Sequence, residues 1–401
     1  MPAQPRAALF GAAFLLSLAS DSGAGRDLQR PLPARIPDAR AAALAAVSEC
    51  GASRSQTGKS RCYERAFLNR LESVGVRDAL AVLQRAAEAD PEVARDGHVY
   101  AHGIGIEAYR LWPVVAERFP ECTTGFASGC YHGVIQAHLS GIPKAGTEEL
   151  LALCAPFRGA DTPRWLLFQC LHGAGHGLLM YYRHELPEAL AACDLFGEAW
   201  DRESCYGGVF MENIMHATAP HHPATRLAAH SRSSWRPLEP EDPLYPCSAM
   251  RPIYQRACYR VQTSAILERN GGDLAAAARE CDRAPLQLRR ACYESLGRDV
   301  SAYADRDPAR AIELCAVATP AFRPACYFGA AKSLVDWAAT PAPGFRMCRW
   351  LAGDPSKHAC YVAVGEQIAA LFPDPGARVA ACAGAESGFS AVCGEAARRG
   401  P

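Results

Sequence analysis

The chain of 401 residues lacks any excess of charge, since Lys and Arg together number 42 and Asp and Glu together also number 42. A nucleic-acid-binding protein normally carries a basic excess, so the balance argues against nucleic acid as a partner. There is also no polybasic cluster for an anionic membrane surface. Beyond the N-terminal segment no stretch reaches about 18 uninterrupted apolar residues, which predicts no membrane span in the mature chain.

Several short motifs of known chemistry are also missing. There is no Cys-x-x-Cys-His for covalent haem, no Gly-x-Ser-x-Gly for a serine hydrolase and no His-Glu-x-x-His for a zinc protease. The segment His184-Glu185-Leu186-Pro187-Glu188 lacks the second histidine that the zinc motif requires. The sequence therefore assigns no nucleophile, acid or base, and whether the protein is an enzyme stays open.

Cysteine, in contrast, is abundant, with 18 residues in a chain that is long enough to fold without disulfide bonds. An even count of this size is typical of a disulfide framework formed in an oxidising compartment. The N-terminus agrees, because Arg6 precedes an apolar run from Ala7 to Ala19 that is followed by small residues suited to cleavage. We predict a signal peptide over 1–24, a flexible leader over 25–40, and a periplasmic or secreted protein.

The cysteines repeat with a nearly fixed spacing in the C-terminal part of the chain. Cys247, Cys281, Cys315, Cys348 and Cys382 follow one another at intervals of 34, 34, 33 and 34 residues, and each has a second cysteine 11 or 12 residues later. A period near 34 with two helix-like segments per unit is typical of an α-helical solenoid. We therefore predict an all-α protein, an α-solenoid of about ten helical hairpins.

One unit shows how each hairpin is built. Asp307-Pro308 starts a first helix, because proline is tolerated in the first turn. Pro320 interrupts the helical pattern, and a second helix begins just before Cys326. The two cysteines of the unit then lie at the end of the first helix and the start of the second, where a disulfide would clamp the turn. Closing a loop of about a dozen residues is worth about 3 kcal/mol in the chain-entropy model.

Extended over the chain, the repeat predicts N-terminal hairpins over 41–217, a loop insertion over 218–246 and C-terminal hairpins over 247–401. Pairing of neighbouring cysteines is the simplest choice for a hairpin and predicts nine disulfides: Cys50–Cys62, Cys122–Cys130, Cys154–Cys170, Cys193–Cys205, Cys247–Cys258, Cys281–Cys292, Cys315–Cys326, Cys348–Cys360 and Cys382–Cys393. A tyrosine follows the second cysteine of most units and is predicted to lie in the core.

In its period and hairpin layout the chain resembles the tetratricopeptide-type and cysteine-rich helical-repeat families over nearly all of the mature chain. The tetratricopeptide pattern of Trp, Leu-Gly and Tyr is missing, and a bridge in each hairpin is foreign to that family. The resemblance implies a curved scaffold that binds a protein or peptide partner along one face.

Histidine is concentrated between His98 and His184, where seven of the twelve lie. The densest stretch is Cys170-Leu171-His172-Gly173-Ala174-Gly175-His176-Gly177, which puts two imidazoles four residues apart and on one face of a helix. His98 and His102 have the same spacing. Two residues after the second-cysteine position, three consecutive units carry His102, His132 and His172, so these side chains are expected to line one strip of stacked helices.

These five histidines, His98, His102, His132, His172 and His176, are the predicted metal ligands, around either one ion in a tightly wound coil or two nearby ions. Imidazole ligands suit copper, zinc or iron and do not choose among them, while the cysteines are expected to be spent in disulfides. Further ligands, or side chains that orient the rings, are sought among five residues: Glu107, Gln136, His138, Glu212 and Asn213.

Other interpretations of these residues stay open. A His-Gly pair at a helix crossing can be a buried histidine bonded to a carbonyl, and the histidines could also form a polar pocket for an anionic or small organic ligand. The glycines, each unfavourable by about 0.8–1 kcal/mol in a helix, indicate that a backbone or a ligand comes close. His216, His221, His222 and His230 form either a lid or part of a solvated loop.

Two functions follow from this sequence. The first is an exported, disulfide-stabilised helical-repeat protein with a His-rich site for metal binding or metal-dependent catalysis. The alternative is a periplasmic or extracellular scaffold for protein–protein interaction, in which the histidines are structural.

Overall fold

The computed structural model describes residues 38–53, 55–126, 128–143, 146–159, 161–218 and 234–399. Within these ranges the chain forms twenty α-helices and no β-strand, which confirms the all-α prediction. The predicted signal peptide and nearly all of the predicted leader lie outside the described residues. So does most of the predicted insertion, including His221, His222 and His230.

The twenty α-helices of the described residues follow one another along the chain. In the N-terminal part they are α1 (Ala39–Gly51), α2 (Gln56–Val74), α3 (Val76–Ala89), α4 (Pro91–Leu111), α5 (Val115–Arg118), α6 (Gly129–Gly141), α7 (Thr147–Cys154), α8 (Arg164–Tyr181), α9 (Leu186–Cys193) and α10 (Ala199–Thr218). In the C-terminal part they are α11 (Pro252–Tyr259), α12 (Gln262–Arg269), α13 (Leu274–Arg283), α14 (Leu286–Tyr303), α15 (Pro308–Leu314), α16 (Arg323–Ala338), α17 (Ala342–Trp350), α18 (Asp354–Leu371), α19 (Pro375–Cys382) and α20 (Ser390–Arg399).

Aspartate residues start several of the helices. Asp38, Asp90, Asp273, Asp307 and Asp374 each precede a helix and accept a hydrogen bond from a backbone N–H of its first turn. A side-chain acceptor at this position satisfies a donor that the helix itself cannot. The helix predicted to start at Asp307-Pro308 does start there, as α15.

The longer helices pack on one another in chain order. α4 packs on α6, α6 on α8 and α8 on α10, and α14, α16, α18 and α20 form a second such series. α8 also contacts α18, and it is bonded to α16, where Oδ1 of Asp336 accepts a hydrogen bond from Nε1 of Trp165 at 3.3 Å. Helices about 170 residues apart therefore meet. The description as a solenoid of about ten units stays a prediction.

All 18 cysteines are paired, and none is free. The nine bridges join the neighbouring cysteines named above and span between 8 and 16 residues of chain. The tyrosines that follow the second cysteines are buried in the core, as predicted: Tyr63, Tyr131, Tyr206, Tyr259, Tyr293, Tyr327 and Tyr361. Among the described helices, none is both long and apolar enough to cross a membrane.

The unit without cysteines, α3 and α4, has a polar network between its helices. Asp90 joins the two helices and is buried, with 8 % of its surface exposed. Its carboxylate accepts a hydrogen bond from the hydroxyl of Tyr63 at 2.7 Å. It also forms an ion pair with Nζ of Lys59 at 2.9 Å. These contacts tie α2 to the turn that no disulfide clamps.

Candidate metal centre

The histidines lie on three consecutive helices that pack in order. His98 and His102 are on α4, His132 is on α6, and His172 and His176 are on α8. Because α4 packs on α6 and α6 packs on α8, side chains at matching positions lie side by side. His102, His132 and His172 therefore lie next to one another along these helices, as the repeat predicted.

Glycine allows two of these helix pairs to approach closely. A Cβ atom placed on Gly133 of α6 would lie 2.1 Å from the carbonyl oxygen of His102, and one on Gly208 of α10 would lie 1.9 Å from that of His172. Both distances are far below van der Waals contact, so only glycine fits. The sequence left open whether a backbone or a ligand comes close to the glycines, and at these crossings it is the backbone of the neighbouring helix.

His132, His172 and His176 form one compact group, which we call the histidine triad. One ring nitrogen from each lies within 4.8 Å of the other two, and the three residues are 2, 7 and 0 % exposed. The ring centroids of His132 and His176 are 4.4 Å apart, and those of His132 and His172 are 5.4 Å apart. Three buried imidazoles in this arrangement could hold a metal ion.

Hydrogen bonds fix the tautomer of two triad rings. Nδ1 of His172 lies 3.3 Å from the carbonyl oxygen of Ser204, and Nδ1 of His176 lies 2.8 Å from Oε2 of Glu212. A carbonyl and a carboxylate only accept, so in both rings Nδ1–H donates and the lone pair lies on Nε2. His98 follows the same pattern, with Nδ1 2.8 Å from the carbonyl oxygen of Phe126. Such contacts are common behind metal-binding histidines.

Burial keeps these imidazoles neutral. Removal from water lowers the pKa of His172 to about 4 and holds the pKa of His132 well below its ordinary value of 6.5. The neighbouring imidazoles lower the pKa of His132 further, because a second positive charge beside the first would be unfavourable. Burial lowers the pKa of His98 in the same way. Neutral imidazole is the form that binds a metal ion.

His98 and His102 lie beside the triad but outside the compact group. Their ring centroids are 5.8 and 6.4 Å from that of His132, and 5.9 Å from each other. The structure therefore places three of the five predicted ligands together and the other two next to them.

The five additional candidates are in different surroundings. Glu212 contacts His176 directly, and Gln136 is completely buried one helical turn after His132. The other three have partners away from the triad. The carboxylate of Glu107 pairs with Arg110, His138 shares a hydrogen bond of 2.9 Å with the Tyr109 hydroxyl, and Asn213 donates to the carbonyl oxygen of Pro237.

Two side chains of this region, Gln169 and Phe168, were missed in the sequence. Gln169 is 2 % exposed and lies three residues before His172, and the ring of Phe168 stacks on His172 at 5.2 Å. The spacing of Gln169 alone puts it on the same face of α8 as His172, so it could have been found. His216, expected in a lid or a solvated loop, lies instead on α10, and its ring stacks on that of His184 at 3.7 Å. Their pairing joins a turn to α10 and leaves no sequence signal.

Comparison of the chain with protein-family models, with curated proteins and with solved structures gave no match. The likeness to helical-repeat families therefore depends on the period and the hairpin layout alone.

Proposed function

We propose that this is an exported metalloprotein in which the histidine triad binds one transition-metal ion, copper, zinc or iron. The observation that carries the proposal is the triad itself, with three ring nitrogens within 4.8 Å of one another in the protein interior. Nine disulfides and the apolar N-terminal segment support an oxidising, periplasmic or extracellular location.

The distances suit an ion after a small adjustment. Imidazole nitrogens bind zinc at about 2.0–2.1 Å, so two ligands of a tetrahedral ion are about 3.3–3.4 Å apart. Nitrogens within 4.8 Å of one another reach that separation when each ring moves by less than about 1 Å.

The charge and the protonation state also suit a cation. The two rings of known tautomer present Nε2 as the ligand atom, and the lowered pKa values of His132 and His172 mean that few protons compete with the ion at neutral pH. The carboxylate of Glu212 adds a negative charge behind His176.

His98 and His102 are proposed as the ligands of a second, weaker site or as supports for the first. They share His132 as a neighbour on α6. Metal binding or delivery and metal-dependent catalysis are both compatible with such a site. The alternative function is a scaffold that binds a protein or peptide partner on the curved face of an α-solenoid, in which the histidines are purely structural. This alternative stays a prediction.

Elemental analysis tests the proposal. The protein is purified without a His-tag from an oxidising compartment, alongside the double variants His172→Ala/His176→Ala and His98→Ala/His102→Ala. His138→Ala is the matched control, because this histidine lies on α6 but bonds to Tyr109. We expect at least one equivalent of metal in the wild type, the control and the second variant, and at least one equivalent less than the wild type in the first variant.

The opposite results are equally clear. Absence of metal from the wild type, even after reconstitution with copper, zinc and iron, would contradict the metalloprotein proposal and favour the scaffold. A metal content in His172→Ala/His176→Ala that equals that of the wild type would place the site elsewhere. Circular dichroism of each variant shows whether helical content is kept, as loss of a ligand alone predicts.

A further inference from the structure

We infer that Gln136 and Gln169 form, together with the metal ion, a binding site for a small hydrogen-bonding ligand of the size of hydroxide or azide. The inference rests on the proposed metal site and adds to it an exchangeable ligand. Three histidines leave one position of a four-coordinate ion for such a ligand, which is the arrangement of catalytic and not of structural zinc sites.

Gln136 has a polar side chain that the protein itself does not satisfy. It is fully buried, and neither its amide oxygen nor its amide nitrogen has a hydrogen-bond partner among the described residues. Burying a carboxamide without partners costs about 1–3 kcal/mol by mutational measures. Hydrophobic side chains of the same size would avoid this cost, so the amide at this position indicates a ligand.

The position of Gln136 connects it with the triad. It lies four residues after His132, so both side chains are on one face of α6. Its Cα also lies at the crossing with α8, because a Cβ placed on Gly177 would be 3.4 Å from it. Gly177 directly follows His176. Gln136 therefore lies on the helix face that carries His132 and packs next to the residue that follows His176.

Gln169 is a second buried amide, on α8, the helix that carries two of the triad histidines. Its amide oxygen has no hydrogen-bond partner among the described residues. It lies three residues before His172. Two buried amides, one from each helix, thus accompany the triad.

The chemistry of a carboxamide defines the class of ligand. Its NH₂ group donates two hydrogen bonds and its oxygen accepts, so a pair of amides suits a small anion, or a water or hydroxide that also donates. A divalent ion bound by neutral imidazoles keeps a positive charge, which favours an anionic ligand. Hydroxide and azide share this chemistry, and azide is the practical probe.

The test uses protein loaded with cobalt(II), whose visible spectrum changes with its coordination. Azide is titrated into the wild type, Gln136→Leu, Gln169→Leu and the control Gln262→Leu. Gln262 is a buried glutamine on α12 whose amide donates to the carbonyl oxygens of Pro243 and Tyr245. We expect azide to bind the wild type and the control, and to bind each of the first two variants at least about 10-fold more weakly, as loss of a hydrogen bond to a charged group predicts.

Stability of the metal-free proteins gives a second readout. Removing an unsatisfied amide should leave the free energy of unfolding of Gln136→Leu unchanged or higher, whereas Gln262→Leu should lose stability because two carbonyls lose their donor. A purely structural role of Gln136 predicts the same loss in both.

Two failures are distinguishable. If the wild type binds no cobalt, the proposed metal site is wrong and this inference falls with it. If cobalt binds but azide leaves its spectrum unchanged, or if azide binds Gln136→Leu and Gln169→Leu as tightly as the wild type, the ligand site is wrong and the metal site stands.

Discussion

His176 donates from Nδ1 to Oε2 of Glu212 at 2.8 Å, although the two residues are 36 positions apart on α8 and α10. Both side chains are buried, at 0 and 5 % exposure. A buried carboxylate behind an imidazole fixes the orientation of the ring and makes its other nitrogen a better donor to metal. The contact therefore has consequences that can be measured at the metal site.

Replacing Glu212 with glutamine should weaken metal binding by about 10- to 100-fold. The variant keeps an oxygen that can accept from His176 but removes the negative charge, so the protein should stay folded. Competition with a chelator of known affinity measures the change. Glu107→Gln is the matched control, because this carboxylate pairs with Arg110 on the surface of α4, and an equal loss in both variants would contradict the role of Glu212.

The metal-free protein should lose stability as the pH falls from about 6.5 to 4. His172 has a pKa of about 4 in the folded protein and an ordinary value of 6.5, so within this window the unfolded chain takes up a proton that the folded chain does not. The free energy of unfolding then decreases with falling pH, by on the order of 3 kcal/mol from His172 alone, and this contribution changes no further below pH 4. Urea unfolding at several pH values measures it.

The comparison that isolates this effect is His172→Gln. Carboxylates also titrate in acid, so the prediction concerns a difference between the two proteins. The free energy of unfolding of the wild type minus that of His172→Gln should decrease as the pH falls from about 6.5 to 4. The exposed His358 provides a control, since His358→Gln should follow the wild type throughout. An identical pH dependence in wild type and His172→Gln would contradict the burial argument.

The hydrogen bond between Trp165 and Asp336 should couple the two parts of the chain energetically. Trp165→Phe leaves the partly buried Asp336 without its indole donor, so we expect a loss of about 1–3 kcal/mol in the free energy of unfolding. A double-mutant cycle with Asp336→Ala should give a coupling energy of about 0.5–1.5 kcal/mol. Strictly additive effects would mean that the hydrogen bond between Trp165 and Asp336 contributes nothing to stability.

Much of this architecture could be predicted because the repeat is a local signal. Proline and aspartate mark the starts of helices such as α15, and the spacing of cysteines in one hairpin identifies its two ends. The alignment of His102, His132 and His172 follows from the same period. Each of these features depends on residues within one unit or at matching positions of neighbouring units.

The remaining features depend on three-dimensional geometry that residue types in the sequence do not predict. The acceptors at His98 and His172 are backbone carbonyls of Phe126 and Ser204, and any residue supplies a carbonyl. The contact between α8 and α18 joins helices that are far apart in the chain, and no pattern within one unit predicts it. The choice of three histidines from five likewise depends on side-chain directions, so the sequence could name the candidates but not the triad.

Gly208→Ala should damage both stability and metal binding. The added methyl group would meet the carbonyl oxygen of His172 at 1.9 Å, so α8 and α10 must separate and the contact between His176 and Glu212 must lengthen. Overpacking of this kind costs about 1–3 kcal/mol, or more where the clash is with backbone. We expect a lower melting temperature and metal binding weakened at least about 10-fold, the latter because the carboxylate no longer supports the ring.

Gly103→Ala is the matched comparison, because it makes the same chemical change in the middle of α4 beside His102. A Cβ atom there has nothing within 4 Å, so the alanine should stabilise the helix by up to about 1 kcal/mol and leave metal binding unchanged. The opposite signs of the two effects follow from helix spacing alone. If both substitutions behaved alike, glycine would be acting through helix propensity, and the close approach of α8 and α10 would not be what holds His176 against Glu212.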